Sequence, residues 1–254
     1  MLADLIQHQL PSLHVFTVLA GVTFVASAMR AFSGFGAGLL MAPVFSLLMA
    51  PADVLVLVLG LNLLTTIQLL PGALRCVDWR LVLRLFIPSL LGVPVGLAAL
   101  HAIDASVMRK TVSFVVILVA LLMLAGWHYK GRRGLVQDTS VGAVSGFMTA
   151  IAGIGGPPVI LYMMSDRSLP LHVMRAVSLV YFSFGQLATL APLAVSGAFT
   201  AQQGIYLLLL LPVAVLASVF GTYVYRWSMG KHQEPVRRLS LLLLLLIGIA
   251  VLLV

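Results

Sequence analysis

Apolar runs close to the length of a bilayer crossing recur from one end of this chain to the other. Ten can be marked off. Five fall in the first half, at about 13–33 (A), 38–50 (B), 54–73 (C), 81–100 (D) and 111–126 (E). Five fall in the second, at about 139–152 (A′), 157–165 (B′), 171–195 (C′), 204–225 (D′) and 239–254 (E′). A helix needs about 20 apolar residues to cross a hydrocarbon core, and most of these runs approach that. Hydrophobic residues make up 61% of the sequence and charged ones 9%, against about 25% charged in a soluble domain. The polar surface is too small for a water-soluble globule. The expected fold class is therefore an all-α integral membrane protein, with residues 1–254 as a single membrane domain. Segments B, A′ and B′ are short. At 1.5 Å per residue they reach only about 15–20 Å, well under a 30 Å core.

The net charge of +8 could point to nucleic acid, but the basic residues sit in short loops between apolar runs, where cytoplasmic loops of membrane proteins carry them. No nucleic-acid partner is expected; membrane lipid is. With Lys130, Arg132 and Arg133 of the connecting loop (127–138) in the cytoplasm, segment parity brings Arg75, Arg80, Arg84, Arg167, Arg175, Arg226, Lys231, Arg237, Arg238 and Arg30 to the same side. Arg109 and Lys110 alone fall outside, and both termini are expected outside the cytoplasm. The start lacks a basic n-region before its apolar run, so no cleaved signal peptide is expected. Cys76 is the only cysteine, which excludes an internal disulfide or a cysteine metal cluster.

The two halves resemble each other. "SGFGAG" (Ser33–Gly38) aligns with "AGIGGP" (Ala152–Pro157), and Ala50–Asp53 falls on Leu169–His172. Pro88 then matches Pro212, Gly96 matches Gly221, and Val107–Lys110 matches Pro235–Arg238. Residues 13–126 form the first repeat and 139–254 the second. Five segments is an odd number, so the second repeat is inverted in the membrane, a design common among secondary transporters. The first two segments of each repeat are expected to form a short broken or re-entrant hairpin, giving eight full crossings plus two hairpins, or ten segments.

The glycine-rich breaks then become a pair. Irregular backbone at membrane depth is tolerated where it is buried in protein or lines a polar cavity. Gly34, Gly36 and Gly38 are expected to form one tip, and Gly153, Gly155 and Gly156 the other. Their backbone N–H groups would face an anion, helped by the positive end of the helix that Pro157 and Pro158 open. Tight helix packing is the alternative use of such glycines. Arg30, one turn before the first tip, and Arg175, one turn inside C′, are candidate partners for an oxyanion; anchoring at the membrane surface is their alternative. Asn62, Thr65, Thr66 and Gln68 in C, and Ser178, Tyr181, Ser183 and Gln186 in C′, are expected to face the bundle interior. Of these Asn62, Tyr181 and Gln186 join the candidate binding set. Asp53, Asp78, Asp104, Asp138 and Asp166 all fall near segment ends or in loops, so no buried-carboxylate relay is expected. Asp53 and His172 are repeat equivalents, readable as coupling groups or as helix N-caps beside Pro51 and Pro170.

Together "FSGFGAGLLMAPV", "TAIAGIGGPPVILY", "CVDWR" and "LLGVPVGLAAL" resemble the sulfite exporter TauE/SafE family of membrane permeases over nearly the whole chain. The resemblance implies outward transport of sulfite, sulfoacetate or another small organosulfonate across a bacterial inner membrane. The first motif departs from the usual G-x-G-G-G by carrying Ala37. The expected mechanism is alternating access, with the anion held between the tips; a carrier for a carboxylate or a passive anion channel is the alternative. Proton or sodium coupling and a homodimer stay open. No cofactor or metal is expected, and the scattered histidines (His8, His14, His101, His128, His172, His232) give no catalytic spacing, so no enzyme is expected.

Overall fold

The computed structural model describes residues 10–127, 129, 131, 134–165, 169–197, 199–228, 242, 245–246 and 248–253. Lys130, Arg132, Arg133, Arg167, Lys231, Arg237 and Arg238 of the charge pattern, Asp166, and the Pro235–Arg238 half of the last repeat match lie outside them. So does much of segment E′.

Nine helices have both ends within the described residues, in order α1 (Leu13–Ser33), α2 (Ala37–Phe45), α3 (Pro51–Ala73), α4 (Trp79–Ala102), α5 (Ala105–Leu124), α6 (Leu135–Ala152), α7 (Gly156–Met163), α8 (Leu171–Val195) and α9 (Ala201–Ser228), and the described residues from 242 to 252 are helical as well. No strand occurs among these residues. Local chemistry explains most starts. Ser12 accepts from the Val15 amide ahead of α1 and Asp78 from the Leu81 amide ahead of α4, each satisfying an orphan donor of the first turn. Thr200 and Gln203 cap each other's amides at the start of α9. Pro51 occupies the first turn of α3, where its missing N–H costs nothing.

Six helices are long and apolar enough to cross a membrane: α1, α3, α4, α5, α8 and α9. This makes the chain an integral membrane protein. α1 and α8 have the ends read from the sequence for A and C′. α6 starts at Leu135, four residues earlier than segment A′, which draws Asp138 out of the connecting loop and into a first helical turn. Its 18 residues reach about 27 Å, whereas α2 and α7 are about half as long. Each hairpin therefore has one long and one short arm.

α3 and α8 lie at the centre. Every residue from Val54 to Leu61 is buried, which suits a helix that is apolar all round. The outer faces of α4 and α9 instead expose Ile87, Leu91, Leu208 and Leu216, as contact with lipid tails allows. α4 packs on α6, α9 on α1, and α3 on α8. The first contact is backbone against backbone. A Cβ on Gly92 would fall on the Ala143 carbonyl, and one on Gly146 on the Ser89 carbonyl. Small residues let membrane helices approach this closely where lipid supplies no hydrophobic drive between them. Gly221 similarly presses α9 onto the Ala28 carbonyl of α1. The packing alternative for glycine thus holds for these residues.

Candidate functional site

Both hairpins turn through a three-residue link. α1 closes on Gly34 and α6 on Gly153, each in the left-handed region (φ 88° and 71°), which glycine enters without a Cβ clash. α2 opens after Gly36 (φ 97°) and α7 after Gly155. The two tips touch. A Cβ on Gly38 would fall on the carbonyl oxygen of Gly153, and Gly156 lies against the ring of Phe35, 3.6 Å from a notional Cβ.

Where they touch, a cavity of about 30 Å³ opens, room for one or two waters. The first tip lines it with Phe35, Gly36, Ala37, Gly38 and Leu39, and the second with Gly153, Ile154, Gly155 and Gly156. Arg30, Leu59, Asn62, Thr149, Phe182 and Gln186 complete the wall.

Arg30 is the only charged group in this lining. It is 3% exposed and held by α3: Nη1 donates to the Asn62 carbonyl at 2.9 Å and to Thr65 Oγ1 at 3.3 Å, and Nη2 donates to Thr66 Oγ1. All three acceptors are neutral, and among the described residues no carboxylate pairs with it. A buried cation without a counter-charge is costly, and a bound anion would offset that cost.

The helix starts add to this. No side chain caps α2 or α7, so their first amides have no intrahelical partner, and the residues that carry them line the cavity. The supply is unequal. α2 offers the amides of Gly36, Ala37, Gly38 and Leu39. α7 offers those of Gly155 and Gly156 only, because Pro157 and Pro158 carry no N–H. The prolines do open α7, as expected, but they halve its donors. Gln186, 4% exposed, also lines the cavity, and its amide oxygen is buried with no hydrogen-bond partner.

The structure thus gathers Arg30, Gly36, Gly38, Asn62, Gly153, Gly155, Gly156 and Gln186 of the candidate set around one cavity. Gly34, Arg175 and Tyr181 stand off its wall. Arg175 donates through Nε (3.1 Å) and Nη2 to the Ala31 carbonyl in the last turn of α1, and its guanidinium stacks 4.5 Å from the centre of the Tyr225 ring. A Cβ on Gly34 would lie 3.1 Å from Arg175 itself. Arg175 therefore ties α8 and α9 to the end of α1, where a cation suits the helix dipole. Tyr181 is buried with its hydroxyl towards Ser89 and Ser145.

The cap reading of Asp53 and His172 is corrected. The cap positions are Ala50 and Pro170, without side-chain cap bonds. Asp53 sits in the first turn of α3 and accepts from Gln203 Nε2 at 2.6 Å. It borders a separate cavity of about 220 Å³ with Gln202, Gln203 and Tyr206. His172 is exposed at the start of α8. A second correction concerns Asp138, which is 4% exposed and hydrogen-bonded to Tyr162.

Sequence reasoning passed over Phe35, Thr149 and Phe182. Thr149 was within reach, since it stands one turn before Gly153 on a polar stripe with Ser145 and Asp138. The two phenylalanines carry no such signal in a chain this apolar.

A family model described as "Sulfite exporter TauE/SafE" matches residues 19–251. A protein of Cupriavidus necator named "Probable sulfite/organosulfonate exporter TauE" is 26% identical over 226 residues, covering 84% of this chain and 83% of its own. No solved structure matches the chain. The paired glycine tips and the match across nearly all the described helices agree: the chain belongs to the sulfite exporter TauE/SafE family.

Proposed function

We propose that this chain is a secondary transporter that exports sulfite or a small organosulfonate by alternating access, with the anion's oxygens held between the two tips. The observation that carries the reading is Arg30: a buried guanidinium with neutral partners, in a cavity where two helix N-termini converge. Such a site selects an anion by charge and by N–H geometry rather than by contacts to a long tail.

In this reading the halves are inverted repeats that rock against one another. Two contacts support it. Gly96 of α4 presses on the Phe147 carbonyl of α6, and its repeat partner Gly221 of α9 presses on the Ala28 carbonyl of α1. Phe147 precedes Ala152 by the same five residues that separate Ala28 from Ser33, so the contacted positions are repeat partners too. The orientation follows the charges. Arg75, Arg80, Arg84, Arg175 and Arg226 cluster at the ends of α3, α4, α8 and α9, which would face the cytoplasm of a bacterial cell. Both termini then lie outside it. An anion leaving a cell with a negative interior moves down the electrical gradient, so export runs without a dedicated proton residue. Asp53 and His172 are the groups to substitute if a pH gradient proves to drive flux.

Uptake of labelled sulfite, sulfoacetate, taurine and acetate into proteoliposomes, with and without a pH gradient, tests this. Saturable sulfite or sulfonate flux is expected. Saturable flux of acetate alone would replace the sulfur anion with a carboxylate, and large flux without saturation would make the protein a channel.

A further inference from the structure

α7 cannot hold itself in place. Its eight residues fall well short of the length of roughly 12–15 at which isolated helices become even marginally stable. Two side chains of α6 grip it, one near each end. Near its start, Ser145 Oγ donates to the Gly155 carbonyl. Near its finish, the Tyr162 hydroxyl donates to Asp138 Oδ1 at 2.6 Å. Asp138 and Ser145 are seven residues apart, two turns, and so share a face of α6. The Tyr162 ring also packs against Tyr129 at 5.7 Å.

α6 is fixed in turn. Gly92, Gly96, Gly142 and Gly146 put its backbone directly against that of α4, and Arg84 of α4 reaches to 3.9 Å from Asp138 Oδ2 with its own side chain half exposed. That long, solvated ion pair adds little. The buried Tyr162–Asp138 bond is shielded from water and counts for more. α4, α6 and α7 therefore pack as one block, and the two side-chain hydrogen bonds from α6 hold α7 in it alongside its buried apolar face.

We propose that Asp138 and Tyr162 are positioning residues of the anion site. They hold the far end of α7 so that its start presents the Gly155 and Gly156 amides to the cavity opposite Arg30. This deepens the proposed transport reading and rests on it for the anion, but the grip on α7 is testable without any transport. Asp138 needs only an acceptor oxygen for the task, so its charge is dispensable and its length is not.

Hydrogen exchange of residues 153–163 in purified protein, together with sulfite flux in proteoliposomes, tests the proposal on Tyr162→Phe, Asp138→Ala, Asp138→Asn and Arg84→Gln. Tyr162→Phe and Asp138→Ala are expected to speed exchange in that segment about five-fold, the weight of one hydrogen bond. They should raise half-saturation for sulfite by a similar factor at unchanged maximal rate. Asp138→Asn and Arg84→Gln should stay within about two-fold of the parent protein. Unchanged exchange in both Tyr162→Phe and Asp138→Ala would overturn the proposal. So would a fall in maximal rate at constant half-saturation, which marks a purely structural lesion, or an Asp138→Asn defect as large as that of Asp138→Ala. If the parent protein moves no sulfite, the transport reading fails while the exchange measurement still decides the grip.

Discussion

The two hairpin tips share a backbone plan and divide the chemistry between them. Each link has three residues and a left-handed glycine closing the long arm. The first tip carries the only charge in the cavity wall, Arg30, and four amides without an intrahelical partner. The second has two amides, two prolines, and a short arm gripped by Ser145 and Asp138 of its own long arm. Equivalent geometry thus carries the cavity's charge on one side and the hydrogen-bonded short arm on the other. The arginines follow the same division. Arg30 lines the cavity, whereas Arg175 secures the C-terminal end of α1 by binding Ala31 and stacking on Tyr225.

Substitutions can break this comparison at several depths. The deepest is Arg30→Ala, which removes the cavity's cation. Charge-assisted hydrogen bonds contribute about 1.5–3 kcal/mol each, so sulfite half-saturation in proteoliposomes should rise about 100-fold. Gly38→Ala comes next. Its methyl would occupy the position of the Gly153 carbonyl oxygen, so the tips must part, and transport should fall by about 10-fold or more in protein that still folds. Gln186→Leu keeps the volume but removes a buried amide whose NH2 can donate to an anion's oxygens, so half-saturation should rise about five-fold. Arg175→Ala should lower stability in detergent by about 1–2 kcal/mol, read from the thermal midpoint, with half-saturation near that of the parent protein. An affinity loss in Arg175→Ala as large as that in Arg30→Ala would erase the division between the arginines. Smallest is Gly156→Ala, whose added methyl would meet Phe35 and Phe182 at ordinary distances of 3.6–3.7 Å. Transport within about two-fold of the parent is expected.

Much of this was legible in the sequence because the constraints are local. Apolar length marked α1 and α8 to the residue, and glycine beside glycine marked the turns that other residues enter only at a cost. The unequal tips were partly legible too, since proline lacks an N–H wherever it stands. What stayed hidden depends on neighbours far along the chain. Asp138 read as a loop acid because position near a segment end does not reveal burial; an earlier start of α6 and the arrival of Tyr162 change that. Arg175 reads equally as an oxyanion partner or a surface anchor, because the carbonyl it binds, that of Ala31, lies in another helix and leaves no local mark. Asp53 reads as a coupling group or a cap, and its partner, Gln203 at the start of α9, lies far along the chain.

The proposed transport requires an anion to bind on Arg30, where the tips meet. Calorimetric titration of sulfite into purified, detergent-solubilised protein tests it most directly, with Arg30→Ala and Arg175→Ala alongside. Saturable binding to the parent protein and to Arg175→Ala, with none detectable in Arg30→Ala, is the expected result. Equal sulfite affinity in Arg30→Ala and the parent protein would contradict it.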